Sequence, residues 1–199
     1  NITSDVLCAA NYGAPQKRER LITIGIRNDL VGKTTYEFPK PHDYKPVLRD
    51  VLLDCPEGPG VQYGEKKKKI FELVPAGGYW RDIDPEIAKE YMKSCWNMEG
   101  GRTGILRRMS LDEPCLTVLT SPSQKQTERC HPLEARPFTV RENARCQMFP
   151  DEWEFCGTVA SQYKQVGNAV PVGLAFDVAK EIHKSLDNLD KAEVNLEEE

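Results

Sequence analysis

The chain has 199 residues, of which 39% are hydrophobic and 29% are charged, and its formal net charge is −4. This mixture is typical of a globular protein of one or two domains. No apolar run approaches the roughly 20 residues of a membrane helix, and the first residues carry no secretion signal, so we expect a cytoplasmic protein without a membrane partner.

The seven cysteines favour neither a disulfide framework nor a zinc site. They are odd in number and widely spaced, no Cys-x-x-Cys pair occurs, and the chain has only three histidines. We therefore expect no metal centre. Most of the thiols should be reduced and should act as small hydrophobic side chains.

The first predicted elements are two strands joined by a loop that contains proline. Val6 and Leu7 are apolar, residues 12–19 are turn-like and charged, and residues 21–26 are rich in β-branched side chains. Because the chain opens in a strand and has no initiating methionine, we expect it to be cut from, or partnered with, a larger α/β domain whose other strands lie upstream.

A second lobe is predicted after this region. Five prolines between residues 31 and 64 interrupt regular elements, which indicates that the chain crosses from one lobe to another. Residues 105–106 and 115–120 are predicted to be short strands in a small, irregular β lobe. The lysine run at 66–69 is predicted to be a solvated surface, at best a phosphate contact.

Two helices are predicted from their capping signals. Asp84, followed by a proline and an acid, should start a helix over residues 85–96. Thr139 and Glu142 have the spacing of a capping box, so a second helix should cover about 140–148, where Phe-Pro stops it.

The last predicted helix begins at Pro171 and is followed by an acidic end. One face of this helix should pack on the sheet that contains residues 21–26, and its apolar side chains are Ala175, Val178, Ala179, Ile182 and Leu186. Residues 186–199 hold six acids and one base, which gives them a net charge of −5. Because the whole chain has a net charge of −4, the remaining residues have a net charge of +1. We predict that the end is a disordered tail.

Two short patterns have residue types suited to chemistry. Arg18 and Arg20 stand two residues apart at the mouth of a strand, on one side of the chain, where their guanidinium groups stay charged and rigid. Taken alone, this pattern is more often a solvated strand edge with a salt bridge. Gly167-Asn168 would present backbone amides to a carboxylate at a helix N-terminus, but taken alone it is more often a simple cap.

Three segments together resemble the DNA (cytosine-5) methyltransferase family, most closely its prokaryotic restriction-modification enzymes. Residues 12–20 resemble the family's Gln-x-Arg-x-Arg motif, residues 136–150 its ninth motif almost without gaps, and residues 162–172 its tenth motif. The resemblance covers Val6 to about Leu186. It implies transfer of a methyl group from S-adenosylmethionine to carbon 5 of a flipped cytosine in duplex DNA, in a bacterium or an archaeon.

The resemblance also implies a fold and a division of the chain. The fold would be α/β, namely the C-terminal part of a Rossmann-like S-adenosylmethionine-dependent methyltransferase fold plus a small, irregular β-rich target-recognition lobe. Residues 1–30 would hold strands and the Gln-x-Arg-x-Arg loop of the catalytic domain, and residues 31–135 the target-recognition region. Residues 136–186 would hold the ninth- and tenth-motif helices, and residues 187–199 the acidic tail.

The same match implies roles for individual residues. Arg20 would contact the flipped cytosine, and Arg18 would assist at the reacting face. Gln16 would support the loop and would belong to the residues that bind DNA. Asn168 and the backbone of Ala169 would bind S-adenosylmethionine, although some relatives carry serine at the second position.

Other implied roles fall on the ninth-motif helix and on the recognition loops. Arg141 and Arg145 lie four residues apart and would hold loops by charge-assisted hydrogen bonds, and Arg141 and Glu142 should be intolerant of change because the lobe would misfold. Loops 100–104 and 121–126 combine bendable backbone with residue types that meet DNA, although each alone is more often solvated. The candidates are Arg102, Arg107, Arg108, Thr117, Gln124 and Arg129, with Thr117 near the target base.

The catalytic apparatus of the family is missing from this sequence. There is no Pro-Cys-Gln for the nucleophile, no Glu-Asn-Val and no Gly-rich cofactor loop. Cys55-Pro56 has the reverse order, and Cys146 lies within the ninth-motif helix. We therefore expect the chain to be inactive alone and to need an N-terminal half as well as double-stranded DNA.

Several alternatives stay open for this chain. It would be a fragment of a longer enzyme, which its start within a predicted strand favours, or a natural subunit of a split methyltransferase. A noncatalytic, sequence-specific DNA-binding module is a different class of function, and it would need neither Arg20 nor Asn168. An RNA-methylating relative fits less well, because the long variable lobe better suits duplex DNA.

Overall fold

The structure is a computed structural model that describes residues 1–100, 102–122 and 124–197, with side chains as far as Leu189. Gly101 and Ser123, which belong to two of the predicted recognition loops, lie outside the described residues. So do Glu198 and Glu199 of the predicted tail.

Among the described residues, four strands form two small sheets. They are β1 (Ile2–Cys8), β2 (Gln16–Lys17), β3 (Glu19–Gly25) and β4 (Cys115–Leu116). β1 and β3 form an antiparallel hairpin, which confirms the two strands predicted at the start of the chain. β2 pairs in parallel with β4 and so joins residues nearly a hundred positions apart. Side chains of β3 alternate between exposed and half-buried, with Arg20, Ile22 and Ile24 on the half-buried side.

The region between residues 31 and 135 contains three short α-helices, α1 (Arg49–Leu52), α2 (Glu65–Leu73) and α3 (Pro85–Met92). Asp84 caps α3 as predicted, since its carboxylate accepts bonds from two backbone amides of the first turn. The α-helix ends at Met92 and continues as a 3₁₀ helix, Lys93–Asn97, so the predicted end at residue 96 falls in the tighter turn.

The strands predicted in this region are largely replaced by turns. Leu106 has a φ of 51°, a left-handed conformation that no strand contains, and its amide donates to the Glu128 carboxylate at 2.6 Å. The prediction for residues 105–106 is therefore wrong. The strand predicted over 115–120 ends at Leu116, because the backbone at Val118 bonds to side chains and not to a neighbouring strand.

The lysine run lies on α2 and does not behave as one solvated surface. Lys66, Lys68 and Lys69 are exposed, as predicted. Lys67 is different, because its Nζ lies 2.6 Å from the carboxylate of the fully buried Glu128 and 4.4 Å from the centre of the Tyr63 ring. The prediction is wrong for this lysine, which holds the interior of the region together.

Three helices of the described residues close the chain, whereas only two were predicted after residue 139. They are α4 (Val140–Cys146), α5 (Val159–Asn168) and α6 (Val172–Glu197). α4 begins with the predicted capping box, in which Thr139 and Glu142 each accept a bond from the other's backbone amide. α5 was not predicted. It starts at the N-cap Thr158 and buries Tyr163, Val166 and Gly167.

α6 packs on the hairpin through a different face from the one predicted. Leu174 and Leu189 are buried and Val178 is half-buried, and the helix contacts the 3₁₀ turn Ala9–Tyr12 next to β1. Ala175, Ala179, Ile182 and Leu186 are exposed, so the predicted face was wrong by about one helical position. The helical backbone continues to Glu197, through most of the segment that we expected to be disordered.

Three apolar clusters form the interior of the described residues. The first joins α1, β4, α4 and α5, the second lies within the region of α2 and α3, and the third joins the hairpin to α6. Among the described residues, no helix is long and apolar enough to cross a membrane.

Candidate functional site

A buried polar cluster joins the segments that sequence analysis singled out. Its centre is Gln16 in β2, whose side chain is 0% exposed. Gln16 Nε2 donates to the Cys146 carbonyl at 3.0 Å and to Gln147 Oε1 at 2.7 Å, and its Oε1 accepts from the Val118 amide at 2.9 Å. Gln147 Nε2 in turn donates to the Val166 carbonyl at 2.8 Å. Gln16 therefore links β2 to the end of α4 and to Val118. Its buried polar atoms contradict the prediction that it belongs to the DNA-binding group, while its role in supporting the loop stays a prediction.

Arg18 extends this cluster toward α5. Its side chain is 2% exposed, and its two terminal nitrogens donate to the Val118 carbonyl at 3.1 Å and the Gly167 carbonyl at 2.8 Å. Burial, and next to it the charge of Arg20, lower the pKa of Arg18 to about 10. This geometry corrects the role expected for Arg18: it ties two backbone segments together, and no part of its fork faces an open reacting site.

Arg20 is placed differently from Arg18, although both lie on the same side of the strand. It is half-buried, and its one hydrogen bond within the described residues goes to the neighbouring Glu19 carbonyl at 2.6 Å. No carboxylate of the described residues pairs with it. Its guanidinium is therefore free to contact a molecule outside the chain.

The Gly167-Asn168 segment does not have the position that we predicted. It ends α5, so it lies at a helix C-terminus and not at an N-terminus. The Ala169 amide is already used in a 3.2 Å bond to the Val166 carbonyl, which removes the free backbone donor expected there. Asn168 is exposed, and its side-chain amide has no hydrogen bond within the described residues. Of the two predicted cofactor contacts, only Asn168 has polar side-chain atoms free to bind a ligand.

The predicted DNA-binding residues fall into two groups. Arg108 serves the interior, because it donates to the carbonyls of Phe71, Val74 and Pro132 at 3.0–3.3 Å. These bonds use Nε and one terminal nitrogen of the guanidinium, and the DNA contact expected of Arg108 stays a prediction. Thr117 donates to the Lys17 carbonyl at 2.9 Å, beside the segment that carries Arg18.

The second group keeps polar atoms toward the surface. Gln124 is exposed, and Arg102, Arg107 and Arg129 are half-buried. Arg102 donates to the Trp96 carbonyl, and Arg129 donates to the carbonyl of its neighbour Glu128 at 2.8 Å. Burial lowers the pKa of Arg129, and the charge of Arg107 acts in the same direction, so these two guanidinium groups are neighbours.

The start of α4 holds a buried ion pair. Arg136 binds both carboxylate oxygens of Glu142 at 2.8 Å, and Glu142 also accepts from the Thr139 amide at 2.7 Å. Burial acts to raise the pKa of Glu142, but the bonds from Arg136 and Thr139 outweigh it and lower that pKa. His131 lies 3.5 Å from the same carboxylate, and burial lowers the pKa of this imidazole.

The arginines of α4 bind the loop that follows the helix, and Arg145 also binds the end of α1. Arg141 donates to the carbonyls of Pro150 at 3.1 Å and Trp153 at 2.7 Å. Arg145 binds the Val51 carbonyl and the carboxylates of Asp54 and Asp151. Both arginines therefore make the loop contacts that their spacing predicted, while the intolerance of Arg141 and Glu142 to change stays a prediction.

Four of the cysteines are buried or have a raised thiol pKa, which disfavours them as nucleophiles: Cys55, Cys115, Cys130 and Cys146. Burial raises the pKa of the Cys55 thiol to about 11 and that of Cys130 to about 12, which opposes thiolate formation. A hydrogen bond between the Cys115 and Cys146 thiols, together with burial, raises the pKa of Cys146. Cys115 follows a proline, an order that sequence analysis overlooked, but it is 1% exposed in β4. The described residues also contain no cluster of His, Cys, Asp and Glu that could hold a metal ion.

Two further buried polar residues were not predicted from the sequence. Gln147 and Glu128 are both 0% exposed and polar, and both bind partners distant in sequence. A polar residue next to apolar neighbours in the ninth-motif segment was the signal for Gln147. For Glu128, nothing in the neighbouring sequence indicated burial.

Comparisons with known proteins agree on one family. The family model described as C-5 cytosine-specific DNA methylase matches residues 1–184. The Type II methyltransferase M.Sau96I of Staphylococcus aureus is 55% identical over 180 residues, which cover 89% of this chain and 42% of that protein. The Type II methyltransferase M.Eco47II of Escherichia coli is 50% identical over 193 residues, or 94% of this chain and 46% of that protein. The chain thus spans less than half the length of these relatives.

Solved structures show the same fold. A prophage-encoded DNA modification methyltransferase of E. coli superposes with a TM-score of 0.62 at 23% sequence identity, over 94% of this chain and 61% of that one. The methyltransferase EhMeth of Entamoeba histolytica gives a TM-score of 0.51 at 14% identity. The mixed helices and small sheets are therefore part of an α/β methyltransferase fold.

Proposed function

Because the chain belongs to the C-5 cytosine-specific DNA methylase family, we propose that it is the C-terminal, target-recognition part of a Type II DNA (cytosine-5) methyltransferase. The complete enzyme would transfer a methyl group from S-adenosylmethionine to a flipped cytosine at a specific duplex site. The chain alone would be inactive, and its partners would be DNA and an N-terminal half, supplied by the same polypeptide or by a companion subunit.

The observation that carries this proposal is the unequal use of the two arginines in the Gln-x-Arg-x-Arg segment. Both terminal nitrogens of Arg18 donate to buried backbone carbonyls. Arg20, on the same side of the chain, donates only to the neighbouring Glu19 carbonyl and has no carboxylate partner among the described residues. Attack of a thiolate at carbon 6 of cytosine places negative charge on the ring, and a cation near the 2-carbonyl oxygen stabilises it. Arg20 would be that cation, while the thiolate would come from the N-terminal half.

S-adenosylmethionine would supply the methyl group when bound. The exposed side chain of Asn168, with no partner among the described residues, fits a contact to its polar atoms. The occupied Ala169 amide does not fit the second predicted contact. This chain would thus hold only a small part of the cofactor, and the larger part of the site would lie in the N-terminal half.

The test is reconstitution of methyl transfer. Labelled S-adenosylmethionine and unmethylated bacterial DNA are incubated with this chain, with an upstream half that carries the nucleophile, and with both. We expect label in DNA only from the mixture. If both halves are folded and associated and no label is transferred, the proposal is wrong and a noncatalytic DNA-binding module becomes the better description.

Arg20→Ala should lower the methyl-transfer rate of the reconstituted pair about a hundredfold, because the developing charge on the ring loses its cation. The matched control is Arg27→Ala, which removes an arginine whose exposed guanidinium already pairs with Asp29. Thermal unfolding of both variants should match the unsubstituted chain. An Arg20→Ala rate equal to that of the control would exclude the proposed role.

A further inference from the structure

The arginines of this chain differ in whether they have acidic partners. Several bind carboxylates: Arg27 to Asp29, Arg49 to Asp112, Arg136 to Glu134 and Glu142, and Arg145 to Asp54 and Asp151. Within the described part of residues 31–135, five arginines bind none: Arg81, Arg102, Arg107, Arg108 and Arg129. Residues 31–135 hold 16 basic and 16 acidic residues, so the feature of interest is not a net charge but guanidinium groups without a carboxylate partner.

Three of these five arginines lie against aromatic rings. The guanidinium carbons of Arg81 and Arg102 lie 4.9 Å and 5.0 Å from the centre of the Trp80 ring, and that of Arg107 lies 5.8 Å from the centre of Tyr79. We call these three arginines together with Tyr79 and Trp80 the arginine-aromatic surface. The rings hold the planar forks in fixed orientations, which reduces the entropy lost when a fork binds a ligand.

The rings of this surface are themselves held in place. Tyr79 and Trp80 meet edge to face at 6.1 Å between centres, and Trp96 meets Trp80 in the same manner at 5.4 Å. Trp80 is 8% exposed and belongs to the core of the region. The support under the arginines is therefore part of the fold and not a mobile loop.

The arginines of the surface differ in how much of the fork remains free. Arg102 is partly used, because it donates to the carbonyls of Trp96 and Cys95. Arg81 is exposed and Arg107 is half-buried, and neither side chain has a hydrogen bond within the described residues. Asp82, the acid next to Arg81, directs its carboxylate to the Tyr79 amide at 2.8 Å. Arg81 thus presents an unneutralised fork, whereas Arg107 has a buried Nε and presents only its terminal nitrogens.

We infer that the arginine-aromatic surface binds duplex DNA and that Arg81 and Arg107 are its direct contacts. An arginine fork matches the two acceptors of a guanine edge in the major groove and also matches a phosphate. The inference rests on the proposed function and adds to it Arg81, Tyr79 and Trp80, which no sequence pattern indicated. It assigns Arg102 to support the surface and leaves Arg108 outside it.

The test measures DNA binding by the chain, alone and mixed with the upstream half. The probe is a pool of duplexes with a randomised centre, and bound duplexes are sequenced. Arg81→Ala and Arg107→Ala should each weaken binding about tenfold. Arg49→Ala is the matched control, since it removes an arginine of the same region that already pairs with Asp112, and it should bind as the unsubstituted chain does.

Arg81→Lys and Arg107→Lys then identify the group contacted, because lysine keeps the charge but not the fork. Unchanged affinity and sequence preference would identify a phosphate, and lost preference would identify a base edge; either result supports the inference. Binding by both alanine variants at the level of the Arg49→Ala control would overturn it, as would absence of DNA binding in both preparations of the unsubstituted chain. Because methyl transfer by the reconstituted pair is measured separately, failure here is distinguishable from failure of the proposed function.

Discussion

Glu142→Ala should lower the free energy of unfolding by about 4 kcal/mol, because removing one partner of a buried ion pair leaves the other charge without compensation. Glu142 is 6% exposed and accepts two bonds from Arg136 and one from the Thr139 amide. Its loss would leave the Arg136 guanidinium without its buried partner and would also remove the capping box of α4. Urea unfolding of the chain, followed by circular dichroism, measures the effect.

Glu134→Ala is the control for this experiment. Glu134 binds the same Arg136 at 2.8 Å, but its side chain is 61% exposed, so its removal should cost less than about 1 kcal/mol. The comparison separates burial from the mere presence of an ion pair. Equal losses in the two variants would contradict the importance assigned to Glu142.

Gly167→Ala should lower the free energy of unfolding by about 3 kcal/mol through overpacking. A Cβ atom at this position would lie 2.6 Å from three backbone atoms of Leu119 and Thr120. Backbone cannot rotate away as a side chain can, so α5 and the 117–120 segment would have to separate. The loss would occur even though alanine is the better helix former by about 1 kcal/mol.

The same substitution should affect methyl transfer by the reconstituted pair, since the Gly167 carbonyl accepts a bond from Arg18. Gly25→Ala provides the control, because nothing lies within 4 Å of a Cβ there. We expect that control to retain both stability and rate. An unfolding midpoint for Gly167→Ala equal to that of Gly25→Ala would show that the two segments do not pack as described.

The features that sequence predicted well are those with local signals. The capping box of Thr139 and Glu142, the N-cap Asp84 and the β-branched run of β3 each occupy a few consecutive residues, and the structure has all three. α5 was missed because its sequence, from Val159 to Asn168, is mostly polar and ends in Gly-Asn, which reads as a turn.

Features that depend on distant partners were not predictable in the same way. The spacing of Arg18 and Arg20 placed both on one side of the strand, but only Val118 and Gly167 decide that one is buried and the other is free. The inward face of α6 depends on the hairpin beneath it, not on the helical periodicity alone. Glu128 and Lys67 form their pair across a separation that no local pattern records.

Where the segment of residues 31–135 returns to the hairpin, its hydrogen bonds are made through main-chain atoms. Gln16 and Arg18 bind the amide and carbonyl of Val118, and the Cys115 amide donates to the Pro15 carbonyl. These hydrogen bonds require a particular path of the chain and do not depend on which side chain stands at position 118, whereas burial of Val118 in the apolar cluster of α1, β4, α4 and α5 does. A segment of different sequence could therefore be grafted in place of residues 31–135, provided that its chain returns along the same path and keeps apolar side chains at the buried positions.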